Sequence, residues 1–300
     1  MNCARKGATS QPPINKNNHI IMNICKTPAE ISQLCDSWHK QNLTIGLVPT
    51  MGYLHDGHLS LMDIAKSKTD KVVVSIFVNP TQFGPNEDLD KYPRDFERDE
   101  RLCRERGVDA VFYPTPADMY APDFSTWVTE TSLSQALCGL SRPIHFRGVC
   151  TVCLKLFNIA RADVAVFGKK DAQQALIIKR MVRDLNVPID IIMAPLIREP
   201  DGLARSSRNK YLSADEHNRA LSISRGIFAA EKAWKGGEKS AAKLTAILRK
   251  SIEDAGGQVD YVELVSQSAI RPIETVDQPA LLACAAFFGK TRLIDNVFLE

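Results

Sequence analysis

The sequence predicts an α/β protein: a doubly wound, Rossmann-like parallel sheet followed by a smaller C-terminal α+β unit. Continuously apolar, β-rich runs alternate with stretches of helical spacing, and strands that are apolar throughout are typical of a sheet covered on both faces. The predicted strands cover residues 43–48, 71–78, 109–113, 163–167 and 189–194. The predicted helices cover residues 29–40, 59–67, 95–106, 149–161 and 171–185. Ligands of such folds bind at the carboxyl ends of the strands, so functional residues are expected just after each strand.

The pattern changes after Pro195, where a second unit is predicted to begin. A turn-rich segment (198–208) precedes predicted helices near 214–234 and 241–255 and short strands around 261–265 and 287–295. The first 18 residues are polar, with two prolines and no acidic side chain. We therefore divide the chain into a disordered extension (1–19), a Rossmann-like domain (20–196) and a smaller α+β domain (197–300).

The composition excludes several classes of function. The 300 residues are 44% hydrophobic and 24% charged, as in ordinary globular proteins. No apolar run approaches the roughly 20 residues of a membrane span, and 38 Lys and Arg against 35 Asp and Glu form no basic face for nucleic acid. The eight cysteines show no disulfide framework and no secretory segment is present, which predicts reduced thiols in the cytoplasm. Cys150 and Cys153 have C-x-x-C spacing, but their apolar surroundings favour core packing over a metal or redox site.

The segment after the first predicted strand reads P-T-M-G-Y-L-H-D-G-H (49–58) and leads into a helix. We call it the histidine loop. His55 and His58, three residues apart, project to one side of the first helical turn. Exposed N–H groups at a helix start attract phosphate, and Gly52 and Gly57 let a ligand approach the backbone. The segment predicts a phosphate site; a capped helix start with two surface histidines, or a zinc site, is the alternative.

Three further segments place polar side chains at strand ends or at the junction between the units. N-P-T-Q-F-G (79–84) offers amides that suit a small polar substrate, or is a plain turn. G-K-K-D (168–171), the lysine turn, brings positive charge to the same rim, or is solvated surface. R-S-S-R (205–208), the arginine loop, offers two hydroxyls between guanidinium groups for phosphates, or is a basic linker. The sequence contains no P-loop, no G-x-G-x-x-G after a strand and no G-x-S-x-G.

Six strings in chain order resemble the pantothenate synthetase family, the pantoate–β-alanine ligases of the nucleotidyl-transferase superfamily. They are PTMGYLHDGH (49–58), FVNPTQFG (77–84), DLDKYPR (88–94), HFRGV (145–149), FGKKDAQQ (167–174) and DGLARSSRN (201–209). The histidine string alone indicates only the superfamily. The assignment is narrowed to the family by the strings N-P-x-Q-F-G and D-G-L-A-x-S-S-R-N. The resemblance implies a biosynthetic ligase that joins pantoate to β-alanine with ATP through a pantoyl adenylate, giving pantothenate, AMP and pyrophosphate. It also implies a homodimer whose residues 20–196 bind nucleotide and pantoate beneath a lid formed by residues 197–300.

The same resemblance implies roles for individual residues. His58 would be the proton donor and would act with His55 on the α-phosphate, while Lys170 would hold the β- and γ-phosphates. The implied ATP-binding residues are Met51, Gly52, Tyr53, Leu54, His55, Asp56, Gly57, His58, Gly168, Lys169, Lys170, Asp171, Ile197, Arg205, Ser206, Ser207 and Arg208. Gln82 and Gln174 would bind pantoate. Mg²⁺ is expected on the ATP phosphates rather than in a dedicated cage, with Asp99 a candidate near it.

Two positions depart from the family pattern. Arg205 stands where Met or Leu is usual, and Lys169 stands where Glu is common. Because both add positive charge near the expected triphosphate, our hypothesis is that they tighten ATP or pyrophosphate binding. Two other interpretations stay open: an enzyme of the superfamily acting on another small acid or a phospho-alcohol, and a non-catalytic nucleotide-binding module.

Overall fold

The structure is a computed structural model that describes residues 22–85 and 87–300. The extension predicted at 1–19 lies outside the described residues. Within them, six strands form one parallel sheet in the spatial order β1-β4-β3-β2-β5-β6. The strands are β1 (Asn23–Cys25), β2 (Ile45–Thr50), β3 (Lys71–Ile76), β4 (Ala110–Phe112), β5 (Val164–Gly168) and β6 (Asp190–Ala194). The predicted doubly wound parallel sheet is therefore confirmed.

The order of the strands locates the crevice of this sheet. From the central β2 the chain moves outward through β3 and β4 in one direction, and it returns to β5 and β6 on the other side of β2. Loops that leave the ends of β2 and β5 consequently diverge, and in open parallel sheets ligands bind where this divergence occurs. The histidine loop follows β2 and the lysine turn follows β5, so both lie at this point.

The helices of the described residues cover the sheet and build the second unit. They are α1 (Pro28–His39), α2 (Asp56–Lys68), α3 (Phe96–Glu105), α4 (Pro116–Met119), α5 (Cys138–Ser141), α6 (His145–Ala160), α7 (Ala172–Asp184), α8 (Ala214–Lys235) and α9 (Ala241–Asp254). Capping explains where several begin. Thr27 and Glu30 form a reciprocal capping box at the start of α1, and Ser213 and Glu216 form another at the start of α8.

A second, antiparallel sheet contains β7 (Gln258–Ser266), β8 (Ala280–Phe288) and β9 (Thr291–Leu299), with β8 in the centre. The predicted strand over 287–295 is wrong, because the chain turns at Gly289 and Lys290 between β8 and β9. The sequence prediction also missed most of β8. Leu282 and Cys284 face the core under α8 and α9, whereas Leu281 and Ala283 face the core of the parallel-sheet part. A strand buried on both faces shows no alternation of polar and apolar residues.

The remaining differences between the predicted and the observed elements are smaller. The predictions missed β1, α4 and α5, and α6 begins at His145 rather than at residue 149. Cys150 and Cys153 are both buried in α6 and unpaired, as core packing predicts. Along residues 22–85 and 87–300, no helix combines the length and apolarity that crossing a bilayer demands.

Candidate active site

One cavity of about 210 Å³ gathers side chains from all four segments that the sequence singled out. The predicted site residues that line it are Met51, His55, Gly57, His58, Gln82, Gly168, Lys170, Asp171, Gln174, Ile197, Arg205, Ser206, Ser207 and Arg208. A larger cleft of about 1090 Å³, lined partly by β8 and β9, shares Lys170, Gln174 and Arg208 with this cavity. The histidine loop, the lysine turn and the arginine loop therefore face a common space.

Five of the predicted ATP-binding residues, Gly52, Tyr53, Leu54, Asp56 and Lys169, do not line the cavity. The first three shape the histidine loop instead. Gly52 and Tyr53 have positive φ angles of 80° and 51°, a conformation that is unusual for tyrosine. The buried Asp99 stabilises this turn, because its carboxylate accepts hydrogen bonds from the N–H groups of Tyr53 (2.6 Å) and Leu54 (2.8 Å).

The structure corrects the expectation that Asp99 lies near a metal ion. Both of its carboxylate oxygens are occupied by backbone N–H groups, and the side chain is 1% exposed and does not line the cavity. We therefore assign Asp99 to the shape of the histidine loop. In the part of the chain that is described, the one group of side chains spaced to hold a metal is Glu199, Asp201 and His217, and none of these lines the cavity either.

The geometry of the two histidines fixes the tautomer of one of them. Their rings stack with centroids 4.0 Å apart. The backbone N–H of His55 donates to Nδ1 of His58 at 3.3 Å, so a neutral His58 carries its proton on Nε2. Nδ1 of His55 is buried and has no hydrogen-bond partner among the described residues. A side chain at position 57 would crowd the His55 ring, since an added Cβ would lie 2.9 Å from its Cε1 atom.

Both histidines are neutral at pH 7. Burial, then the neighbouring His58, Lys170 and Arg205, lowers the pKa of His55 to about 2. Burial and Lys170 lower the pKa of His58 to about 4. Neutral imidazoles beside a lysine avoid repulsion between positive charges and can still donate hydrogen bonds.

Gln82 is buried and held in one orientation. Its Oε1 accepts a hydrogen bond from Nδ2 of Asn79 at 3.0 Å, while its Nε2 lies 3.3 Å from the Met51 sulfur. Asn79 is fixed in turn, because its Oδ1 accepts from the Tyr120 hydroxyl at 2.7 Å. On α7, Gln174 lines the cavity, whereas the adjacent Gln173 is buried and bonds to backbone groups outside it.

The lysine turn sends its two ammonium groups in different directions. Lys170 lines the cavity, and its Nζ lies 3.6 Å from Oδ2 of Asp171. Lys169 instead places Nζ 4.6 Å from the centre of the Phe298 ring on β9. The structure thus corrects the hypothesis that Lys169 adds charge at the triphosphate.

The arginine loop is docked on the segment that contains Asp88 and Tyr92. Arg208 donates two hydrogen bonds to the Asp88 carboxylate at 3.0 and 2.9 Å, and the Ser207 hydroxyl lies 3.4 Å from that of Tyr92. Burial alone would raise the pKa of Asp88, but the Arg208 guanidinium outweighs burial and lowers it. Arg205 lies between two carboxylates, 3.0 Å from Asp56 and 3.5 Å from Glu199.

The sequence reasoning assigned no role to Arg142 and His145, which also line the cavity. His145 lies at the start of α6 with Nδ1 3.0 Å from the Gln82 carbonyl oxygen, and burial followed by Arg142 lowers its pKa to about 4. Arg142 donates to Glu87 at 2.9 Å. The string H-F-R-G-V was a signal for His145, but Arg142 precedes that string and carries no pattern of its own.

In this doubly wound parallel sheet, paired histidines follow β2 and a lysine follows β5, the two strands at the switch point. This arrangement defines a class of protein: the α/β enzymes that bind nucleotides at the carboxyl edge of the sheet. The family model described as pantoate-β-alanine ligase matches residues 23–298. The chain belongs to the pantoate–β-alanine ligase family.

Comparison with individual relatives and solved structures supports the same family assignment. The chain is 51% identical over 279 residues to pantothenate synthetase of Thermotoga petrophila, covering 93% of this chain and 100% of that protein. It is 52% identical over 272 residues to pantothenate synthetase of Clostridium novyi, covering 90% and 96%. The crystal structure of pantothenate synthetase from Thermus thermophilus superposes with a TM-score of 0.87 at 39% identity, covering 92% of this chain and 99% of that one. The pantoate-β-alanine ligase of Francisella tularensis, solved in complex with beta-gamma ATP and β-alanine, has a TM-score of 0.76 at 35% identity, covering 92% and 97%.

Proposed function

We propose that this protein condenses pantoate with β-alanine at the expense of ATP, through a pantoyl adenylate, to give pantothenate, AMP and pyrophosphate. One observation carries the proposal: four segments separated in sequence line a single cavity at the switch point of the sheet. Family membership supports the same reaction.

In the first step, a pantoate carboxylate oxygen attacks the α-phosphorus of ATP, and the bond from that phosphorus to the β-phosphate oxygen breaks. Negative charge grows on the α-phosphate oxygens as pyrophosphate departs. His58, which carries its proton on Nε2, donates a hydrogen bond to this charge, and His55 stacks beside it. Because both rings are fixed and neutral before substrate binds, little reorganisation is needed in the transition state.

Lys170 and the arginine loop would hold the β- and γ-phosphates and then the departing pyrophosphate. Ser206, Ser207 and Arg208 supply hydroxyl and guanidinium donors that face the same cavity as Lys170. Gly168, Asp171 and Ile197 line the adjoining wall and would contact the nucleoside. Gln82 and Gln174, which both line the cavity, would bind pantoate through its hydroxyl groups and carboxylate.

In the second step, the β-alanine amine attacks the acyl carbon of the adenylate. The bond from that carbon to the AMP oxygen breaks, AMP leaves, and the amine gives up a proton to solvent. The mixed anhydride makes this possible, because AMP is a far better leaving group than the oxide ion of a free carboxylate.

Mg²⁺ enters as the ion of MgATP. Acidic side chains that adjoin the phosphate-facing segments already have cationic partners: Asp88 pairs with Arg208, Asp56 with Arg205, and Asp171 with Lys170 at 3.6 Å. A cavity that offers the ion few carboxylates fits Mg²⁺ carried by phosphates and water.

The proposal extends to the domain boundary, the cellular location and the oligomeric state of the protein. A domain boundary between residues 196 and 197 is supported by the two sheets, since β6 ends at Ala194 and β7, β8 and β9 form the other sheet.

A cytoplasmic location is supported by the seven described cysteines, which are all buried thiols. A homodimer formed through the N-terminal domain is supported by the family resemblance and by the exposed apolar side chains of Trp127 and Leu140, and light scattering tests it.

The decisive experiment mixes the protein with ATP, Mg²⁺ and pantoate but no β-alanine. Mass spectrometry should detect a pantoyl adenylate, and addition of β-alanine should convert it to pantothenate. Pyrophosphate exchange into ATP that proceeds with another hydroxy acid and not with pantoate would instead indicate a different enzyme of the superfamily. Nucleotide binding without exchange for any acid would indicate a non-catalytic module.

A further inference from the structure

Two adjacent residues of β9, Asp295 and Asn296, are buried with exposures of 2% and 7% and lie outside the smaller cavity. Successive side chains of a strand point to opposite faces. Leu293 faces the core under α8 and α9, and Ile294 faces the parallel-sheet part. Asp295 and Asn296 therefore extend from opposite faces of the small sheet.

Asn296 holds the lysine turn from the second sheet. Its Nδ2 donates one hydrogen bond to the carbonyl oxygen of Lys169 at 2.9 Å and another to that of Lys170 at 2.8 Å. An amide nitrogen has two hydrogens, so both are used here. The bonds fix the backbone that carries the Lys170 side chain and leave its ammonium group to the cavity.

Asp295 holds the base of the arginine loop. Its carboxylate accepts hydrogen bonds from Arg198 at 2.6 and 3.0 Å, and Arg198 pairs with Ala204 in an antiparallel bridge. The arginine loop begins at the next residue, Arg205, whose N–H donates to the Ile197 carbonyl at 3.0 Å. Asp295 also accepts from the backbone N–H of Asn296 at 2.7 Å, which links the two anchors.

We propose that Asp295 and Asn296 are positioning residues of the nucleotide site: they set the spacing between the lysine turn and the arginine loop that together hold the triphosphate. The inference rests on the proposed function, in which Lys170 contacts the ATP phosphates. Two cationic segments from different parts of the chain can bind one polyphosphate tightly only if their separation is set before it arrives, since ordering them on binding costs affinity. Neighbouring residues on one rigid strand supply that spacing.

The first test compares Asn296→Ala with Gln267→Ala. Gln267 is the matched control, because its amide also donates to a backbone carbonyl of the small sheet, that of Ala280 at 3.2 Å, away from the cavity. Asn296→Ala should raise the KM for ATP and weaken binding of a non-hydrolysable ATP analogue by about tenfold, with the KM for β-alanine unchanged. Gln267→Ala should leave all three constants unchanged. An Asn296→Ala protein with ATP constants within twofold of wild type would overturn the inference.

The second test is a double-mutant cycle on affinity for the ATP analogue. If Asn296 acts through Lys170, Asn296→Ala has little further effect in a Lys170→Ala background. If the two losses multiply, Asn296 acts only on general stability and the inference is wrong. A Lys170→Ala protein with unchanged affinity and adenylation would remove the proposed role of Lys170 and the inference with it. Should Asn296→Ala fail to fold, the nearly isosteric Asp295→Asn carries the same prediction, measured by pyrophosphate affinity.

Discussion

The histidine loop and the lysine turn, which follow strands of the parallel sheet, differ from the arginine loop, which lies beyond the last strand of that sheet, in how their polar groups are occupied. His58 is neutral and half-buried, and Lys170 has one loose carboxylate partner, Asp171 at 3.6 Å. The arginines already have carboxylate partners: Arg208 makes two hydrogen bonds to Asp88, and Arg205 lies between Asp56 and Glu199.

This difference predicts different contributions to the reaction. Donors that are fixed before substrate binds stabilise developing charge without reorganisation. An arginine that is already paired gains from a phosphate only the difference between the new ion pair and the old one. Changes in the histidine loop and the lysine turn should therefore have large effects on rate, and changes in the arginine loop should have small effects on affinity.

The largest effect is expected from His58→Ala. Removing a preorganised donor to the α-phosphate should lower the rate of adenylation by roughly 10² or more. Single-turnover formation of the adenylate measures this rate, and His39→Ala, at the end of α1, is the control for loss of a histidine outside the cavity. A His58→Ala rate within twofold of wild type would remove His58 from the mechanism.

The next effect is on stability, and it measures the cost of burying neutral histidines. Because the pKa of His58 is about 4 in the native protein and near 6.5 when unfolded, the unfolded chain takes up a proton between these pH values that the native protein does not. The free energy of unfolding should therefore fall as the pH is lowered from 7 to 5. The unfolding equilibrium constant should rise by about tenfold or more over this range.

Urea denaturation of wild type and His58→Gln at both pH values checks this prediction. His55 and His145 contribute in the same direction, since their pKa values are lowered to about 2 and about 4, so the variant should retain part of the acid sensitivity and lose the rest. Equal losses in the two proteins would mean that His58 is protonated in the native state.

Asp88→Asn should have a smaller effect, which acts through the arginine loop. Without the Asp88 charge, Arg208 no longer has to leave a charged partner, so inhibition by pyrophosphate should tighten by about fivefold. Asp90→Asn removes the same charge from an exposed residue with no ion pair among the described residues, and it should change inhibition less. Weaker inhibition by pyrophosphate in Asp88→Asn would show that Asp88 orients Arg208 rather than competing for it.

The same contrast explains how much of the site the sequence could predict. His55, His58 and Lys170 follow strand ends, and each of those strands is recognisable in the sequence as a continuous apolar run. The convergence of their loops then follows from the topology of a parallel sheet. The sequence could also separate Gln174 from Gln173, because the family string assigns one of the two adjacent amides to the cavity.

The partners of the charged groups could not be predicted in this way. Asp88 meets Arg208 across 120 residues, and Asp99 meets the histidine loop across about 45, and neither pairing leaves a local pattern. Without a structure, Asp99 looked like an acid available to a metal, and Lys169 looked like a charge for phosphate. Tertiary contacts decided both cases, as they decided the two-sided burial that concealed β8.

The smallest effect is expected at Arg205, one of the two departures from the family pattern. Its guanidinium lines the cavity but is shared between Asp56 and Glu199, so Arg205→Met should raise the KM for ATP by only about two- to threefold. Lys169→Met is the matched control: it removes the other added charge, but the Lys169 ammonium packs on Phe298, so the KM should not change. Steady-state titration of ATP at saturating pantoate and β-alanine measures both. An unchanged KM in Arg205→Met would show that its two carboxylates already cancel the charge, whereas a tenfold rise would group Arg205 with the donors of the histidine loop and the lysine turn.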